Sequence, residues 1–199
     1  MKALRSILLV LAVSANLSAA RATTVIPPTF DQLVGDAELI FQGTCTDVKS
    51  QWIGEGAEHR IVTYVTFKVE DSLKGKPGES YTIRMLGGTV DGTTMEVSDT
   101  PKFKTGDRDI LFVEHNGQQF VPLVGIMHGR YRVKHDNASG RDVVLTDQGR
   151  ALSDVNQLGR DEHSAASAAA PNNAAAVQPE ALAPSDFKAA IKAKLAAAR

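Results

Sequence analysis

Five histidines, one cysteine and a close pair of aspartates are the residues from which this chain could build chemistry. His59, His115, His128, His135 and His163 invite a metal site, because neutral imidazole is a common metal ligand. None of them has the His-x-x-x-His or His-Glu-x-x-His spacing that sets two ligands on one helix face, and there is no Cys-x-x-Cys. His128 and His135 are seven residues apart, so one strand holding both would point them to opposite faces. Asp107 and Asp109 flank Arg108 at a strand start; a carboxylate pair can do acid–base work, but a solvated, charge-balanced turn is the expected reading. There is no Gly-x-Ser-x-Gly elbow, Walker loop or dinucleotide fingerprint. No metal and no cofactor is expected.

Two further groups bear on binding. Arg130, Arg132 and Lys134 form the one basic stripe of note, read as a solvated strand face. A nucleic-acid surface would add stacking aromatics, for which Tyr64, Tyr81 and Tyr131 are available. Tyr131 alternates with the arginines and so faces away from them, and the chain is acidic, so nucleic acid is not an expected partner. Asn137-Ala138-Ser139 matches a glycosylation sequon within ordinary turn composition.

The start of the chain sets the compartment. Lys2 and Arg5 precede the apolar run 7–13 and then small residues through Ala22, the layout of a cleaved secretory signal. The run is well short of the roughly 20 residues that span a bilayer, so no transmembrane anchor is expected. Cleavage after Ala20 or Ala22 gives an exported chain, periplasmic or extracellular. Removing 1–22 takes Lys2, Arg5 and Arg21 from the 22 basic residues, so 19 face 23 acidic ones, a net charge of −4. Cys45 shares an alternating face with Leu39 and Phe41, which predicts a buried, inert thiol.

The elements that would position these groups are mainly strands. Thr29 caps a short helical turn carrying Phe30, Leu33 and Val34, with Gly35 as its stop. From there to about residue 146 the period is two. Residues 59–69 alternate, and 71–78 end that strand with turn chemistry; 81–85 alternate again. Residues 87–107, with Gly87, Gly88, Gly92, Pro101 and Gly106, read as a long irregular excursion of the kind that binds or covers something. Residues 110–115 are apolar on both faces, the mark of a central strand. Asn116-Gly117 predicts a tight hairpin with return strand 120–124, weakened by Pro122. Tyr131 and Val133 alternate ahead of a turn at 136–140 and a last strand at 143–145.

This pattern predicts an all-β domain over 23–160, a small closed or partly open barrel of the OB type. An Ala/Pro-rich linker, 161–184, follows; its composition predicts disorder. An amphipathic helix, 185–199, capped by Ser185 and striped by Phe187, Ile191 and Leu195, ends the chain, to dock on the barrel or to await a partner.

Residues 30–34 leading to 37–43, then 63–69 with Leu73-Lys74-Gly75, then Gly106-Asp107 before 110–113, resemble a group of exported bacterial proteins of unknown function. Their fold is similar to the OB barrel of tissue inhibitors of metalloproteases and netrin modules, and the resemblance covers about residues 29–146. Those inhibitors block zinc with the amine and carbonyl of a disulfide-held N-terminal cysteine. This chain has a single cysteine, inside a strand, so the resemblance in fold does not carry that mechanism.

The reading is therefore an exported, non-enzymatic module that engages a protein partner, a protease in the narrower form, through residues 87–107. Met95, Phe103, Arg130, Arg132, Phe187 and Ile191 are the candidate contacts. One alternative is an enzyme with a dispersed hydrolytic site, metal-assisted in its narrower form, drawn from His115, His128, Asp107 and Asp109. Another is a structural envelope component anchored by the C-terminal helix.

Overall fold

The helical turn expected after Pro27-Pro28 forms as α1 (Phe30–Asp36) in the computed structural model, which describes residues 26–159 and 180–198. Thr29 caps it reciprocally: the Gln32 N–H donates to its Oγ1 at 3.2 Å, and its own N–H donates to Gln32 Oε1 at 2.8 Å. Gly35 does not stop the helix, which runs one residue further and closes at Ala37. The expected signal, 1–22, and residues 161–179 of the expected linker lie outside the described residues.

The described chain is mostly β. Six strands form one antiparallel sheet in the order β3-β2-β1-β6-β7-β8. These are β1 (Leu39–Ile53), β2 (Arg60–Lys74), β3 (Ser80–Leu86), β6 (Arg108–Val113), β7 (Arg130–Asp136) and β8 (Arg141–Thr146). A separate two-stranded hairpin, β4 (Gly88–Val90) and β5 (Thr93–Met95), lies inside the stretch expected to be irregular. Asp91 and Gly92 are its turn, both with positive φ (49° and 80°), the backbone a two-residue hairpin needs. β2 passes the expected turn at Asp71-Ser72 as bulged strand and turns only at Gly75.

No ladder joins β3 to β8 among the described residues, so the six-stranded sheet is not closed. A short segment instead bridges β3 to β6. The Leu86 N–H donates to the Phe120 carbonyl at 2.7 Å, while Glu114 donates to Pro122 at 3.2 Å and Val124 to Phe112 at 3.0 Å. The Asn116-Gly117 hairpin is thus a wider turn than expected. His115 takes a positive φ, and its carbonyl accepts from both Gln118 and Gln119. Pro122 lacks the N–H a full return strand would use.

A sheet apolar on both sides needs two covers, and it has them. Ile40, Ile110, Phe112, Tyr131, Val133 and Val144 face α1 and the C-terminal helix α2 (Pro184–Ala197), which contribute Leu33, Val34, Phe187 and Ile191. Phe41, Cys45, Val65, Phe67, Ile83, Leu111 and Val113 face the other way, under Phe103, Val121 and Leu123. Phe187 and Ile191 are both fully buried, worth about 1.5–3 kcal/mol each in apolar transfer. α2 therefore docks on its own sheet. Its cap is Ala183 with Pro184 in the first turn, not Ser185. Leu182, expected in the linker, pairs instead beside β8: its N–H donates to Leu152 at 2.7 Å and its carbonyl accepts from Val144 at 2.9 Å.

Candidate functional site

Arg130 starts β7 on the face that looks away from the helices, and it is 2% exposed, not the solvated stripe residue its sequence suggests. The pleat explains the cluster around it. Asp107 and Asp109 are two residues apart and so share a face of β6 and its lead-in; Asp109 pairs across the ladder with Arg132, which stands two residues from Arg130. All five guanidinium N–H donors find acceptors. Nε and Nη2 donate to the two oxygens of Asp109 at 3.0 and 3.1 Å, Nη2 also to Asp107 Oδ2 at 2.9 Å, and Nη1 to Asp147 Oδ1 at 3.1 Å and the Lys102 carbonyl at 2.8 Å. The Phe103 ring lies under the guanidinium, 4.0 Å from centroid to Cζ. Lys134 Nζ holds the other Asp107 oxygen at 3.3 Å.

Three carboxylates around one guanidinium set opposing shifts. Burial pushes the Asp109 carboxyl up to about 6 against the pull of Arg130, with Asp107 adding to the rise, so it remains ionised at neutral pH. Burial also opposes ionisation of Asp107, but the Lys104 N–H, Lys134 and Arg130 outweigh it and hold that carboxyl below its usual range. Burial works against the charge of Arg130, and the aspartates more than restore it. The expected solvated turn at Asp107 and Asp109 is therefore a buried ion cluster, with Asp109 wholly enclosed. Its oxygens are engaged by Arg130, which leaves this pair an anchor for neighbouring backbone.

That anchor fixes one end of the 87–107 stretch. Asp107, Phe103 and the Lys102 carbonyl all belong to it, and the Gly106 and Asp107 backbone also exchanges hydrogen bonds with Cys45 at 2.8 Å each. The other end crosses the sheet at Gly87 and Gly88, with φ of 94° and 137°, where any side chain on Gly88 would collide with the Ser50 and Thr63 hydroxyls. Thr63 Oγ1 donates to the Gly87 carbonyl at 2.6 Å, and Gly87 N–H donates to Ile61 at 2.8 Å. Between these ends stands the β4–β5 hairpin, with Thr89, Asp91, Gly92, Thr93, Thr94 and Glu96 exposed and the Thr89 and Thr94 hydroxyls 2.9 Å apart.

The remaining candidate residues scatter. Phe103, Arg130, Phe187 and Ile191 are enclosed by the chain's own core, while Met95 and Arg132 are partly exposed. His115 lies beyond the far end of β6 from Asp109, about 20 Å away at the strand rise of ~3.3 Å per residue, and its Nδ1 meets Gln119 at 2.8 Å. His128 sits in the 3-10 turn Ile126–Gly129 ahead of β7. A Ser-x-x-Lys spacing, Ser185 and Lys188, opens α2, but the Lys188 ammonium is held 2.9 Å from Asp71 and Ser185 Oγ donates to Asp186. Cys45 is fully buried, and burial pushes its thiol up to about 11, helped by Asp107 and Asp109. Among the described residues no group of three or more His, Cys, Asp or Glu is placed to hold a metal ion, and no helix is long and apolar enough to cross a membrane. Set against family models, curated proteins and solved structures, the chain finds no match in any of the three.

Sequence reading missed Asp147 and Lys134 as members of the cluster, and the β4–β5 hairpin. The hairpin had a signal: Asp91-Gly92 is as strong a turn dipeptide as Asn116-Gly117.

Proposed function

We propose that this chain is an exported, non-enzymatic binding module that engages a protein partner through residues 87–107. The observation that carries the reading is the construction of that stretch. It is fastened at Gly87 and Gly88 by Ile61 and Thr63, and at Phe103 and Asp107 by Arg130, and it presents a short polar hairpin between the two fastenings. A pre-ordered hairpin loses less conformational entropy on binding than a free loop of the same length. Met95 and Arg132 are the surface members of the original candidate set, and the hairpin threonines join them.

An OB-type, partly open barrel is the finer form of the fold. Its support is segment 120–124, which takes hydrogen bonds from β3 on one side and exchanges them with β6 on the other. A protease is the narrower form of the partner, carried by the fold resemblance alone; the zinc-blocking mechanism has no counterpart, because the single cysteine is buried in β1. Deleting 87–107 would pull Phe103 and Asp107 out of the core, so surface changes test the reading better. Thr93→Glu with Thr94→Glu should abolish capture of the partner from the native compartment at unchanged Tm, whereas Ser139→Glu in the turn between β7 and β8 should leave it intact. Equal capture by both variants would refute the reading.

A further inference from the structure

Among the described residues, part of one edge of β1 has no neighbouring strand. β6 pairs with it from Leu39 to Thr44 only, and the lead-in loop adds the exchange at Cys45. A bulge at Thr46 then shifts the register with β2, and β1 continues to Ile53 with β2 along its other side. The outer edges of the sheet are engaged: β3 by Asn116 and Phe120, and β8 by residues 150–152 and Leu182. By contrast, Thr46, Asp47, Val48 and Lys49 are all exposed, and Val48 is one of three large apolar residues in that state among the described residues. Neither Asp47 nor Lys49 forms an ion pair among the described residues.

We propose that this edge pairs antiparallel with the same edge of a second copy of the chain, about a two-fold axis through Val48. The sequence is self-complementary in that register. Val48 meets Val48 of the second copy, Asp47 meets Lys49 and Lys49 meets Asp47, and Thr46 faces Ser50. Centring one residue either way sets lysine on lysine or aspartate on aspartate, so charge selects the register. An edge lysine ordinarily discourages pairing; here the two-fold delivers its counter-ion. The β4–β5 hairpin crosses the sheet at Ser50, which limits the shared ladder to about five residues. Such a contact falls below the roughly 1,200 Å² of stable interfaces, so the dimer is weak, with Kd between about 10 μM and 1 mM.

Sedimentation equilibrium of the purified chain over that range tests it. The unaltered chain should self-associate, Lys49→Glu should weaken association by about tenfold or more, and Asp47→Lys with Lys49→Glu should restore it. Val48→Cys should give a disulfide-linked dimer on mild oxidation, and Ser139→Cys should not. A chain that stays monomeric at about 1 mM, or a dimer indifferent to Lys49→Glu, overturns the proposal.

Discussion

Replacing Arg130 by methionine should leave Asp109 wholly enclosed with both oxygens stripped of their donors, beside Asp107 and Asp147 with no guanidinium between them. Methionine fills much of the volume, so lost packing is the smaller effect. An uncompensated buried charge of this kind costs about 3–5 kcal/mol, and the lost cation contact with Phe103 adds about 0.5–2 kcal/mol. For a folded unit of this size, a Tm fall on the order of 10 °C or more follows. The sign of the pH dependence identifies the cause. Without Arg130 the Asp109 carboxyl, already raised by burial, rises further above its unfolded value, so the unfavourable energy is largest when Asp109 is ionised and shrinks as it protonates. Urea unfolding followed by circular dichroism at pH 5 and 7.5 should show a clearly smaller loss at pH 5. A loss below about 1 kcal/mol at pH 7.5, or one that does not change with pH, would refute the assignment of Arg130 as the counter-ion of a buried cluster.

Other outcomes follow from the same contacts. The Asp109 carboxyl, at about 6 in the folded chain, lies above its unfolded value near 3.8, so its contribution to stability is present at low pH and lost as pH rises through 6; Asp109→Asn should remove that part of the pH profile in urea titrations, and an unchanged profile would contradict it. Phe187→Ala should lower stability by about 3–5 kcal/mol, because the ring is fully buried against Phe112 and Tyr131 at 6.1 and 4.9 Å; a free helix would show no such loss by calorimetry. Cys45 should react with a thiol reagent at pH 8 only after denaturation, and rapid labelling of the native chain would contradict its burial.

The strand framework was legible because period two reports the pleat whatever the partners are. Tyr131 and Val133 fall on the face predicted for them, and Cys45 lies with Phe41. The apolar run at 110–113 also carried more than a central strand: residues apolar on both faces require a second cover, and α1 alone is too short to supply it, which is why α2 docks. Arg130 was not legible in isolation. Whether a charge is buried depends on counter-ions, and Asp107, Asp109 and Asp147 come from other segments, 17–23 residues away. The pattern that could have revealed it is the match of two aspartates and two arginines, each at spacing two, on adjacent strands. The turn at 115–119 departs from its dipeptide signal for a tertiary reason, since Asn116 spends its side chain on Tyr81, Thr82 and Arg84 of β3.

The most direct measurement is site-specific photo-crosslinking in the native compartment, with the probe placed in turn at Thr94 on the hairpin and at Ser139 in the turn between β7 and β8, both exposed. The expected result is one discrete adduct from Thr94, lost when Thr93→Glu is added, and none from Ser139. Identical adducts from both positions, or none from Thr94, would contradict a partner site on residues 87–107.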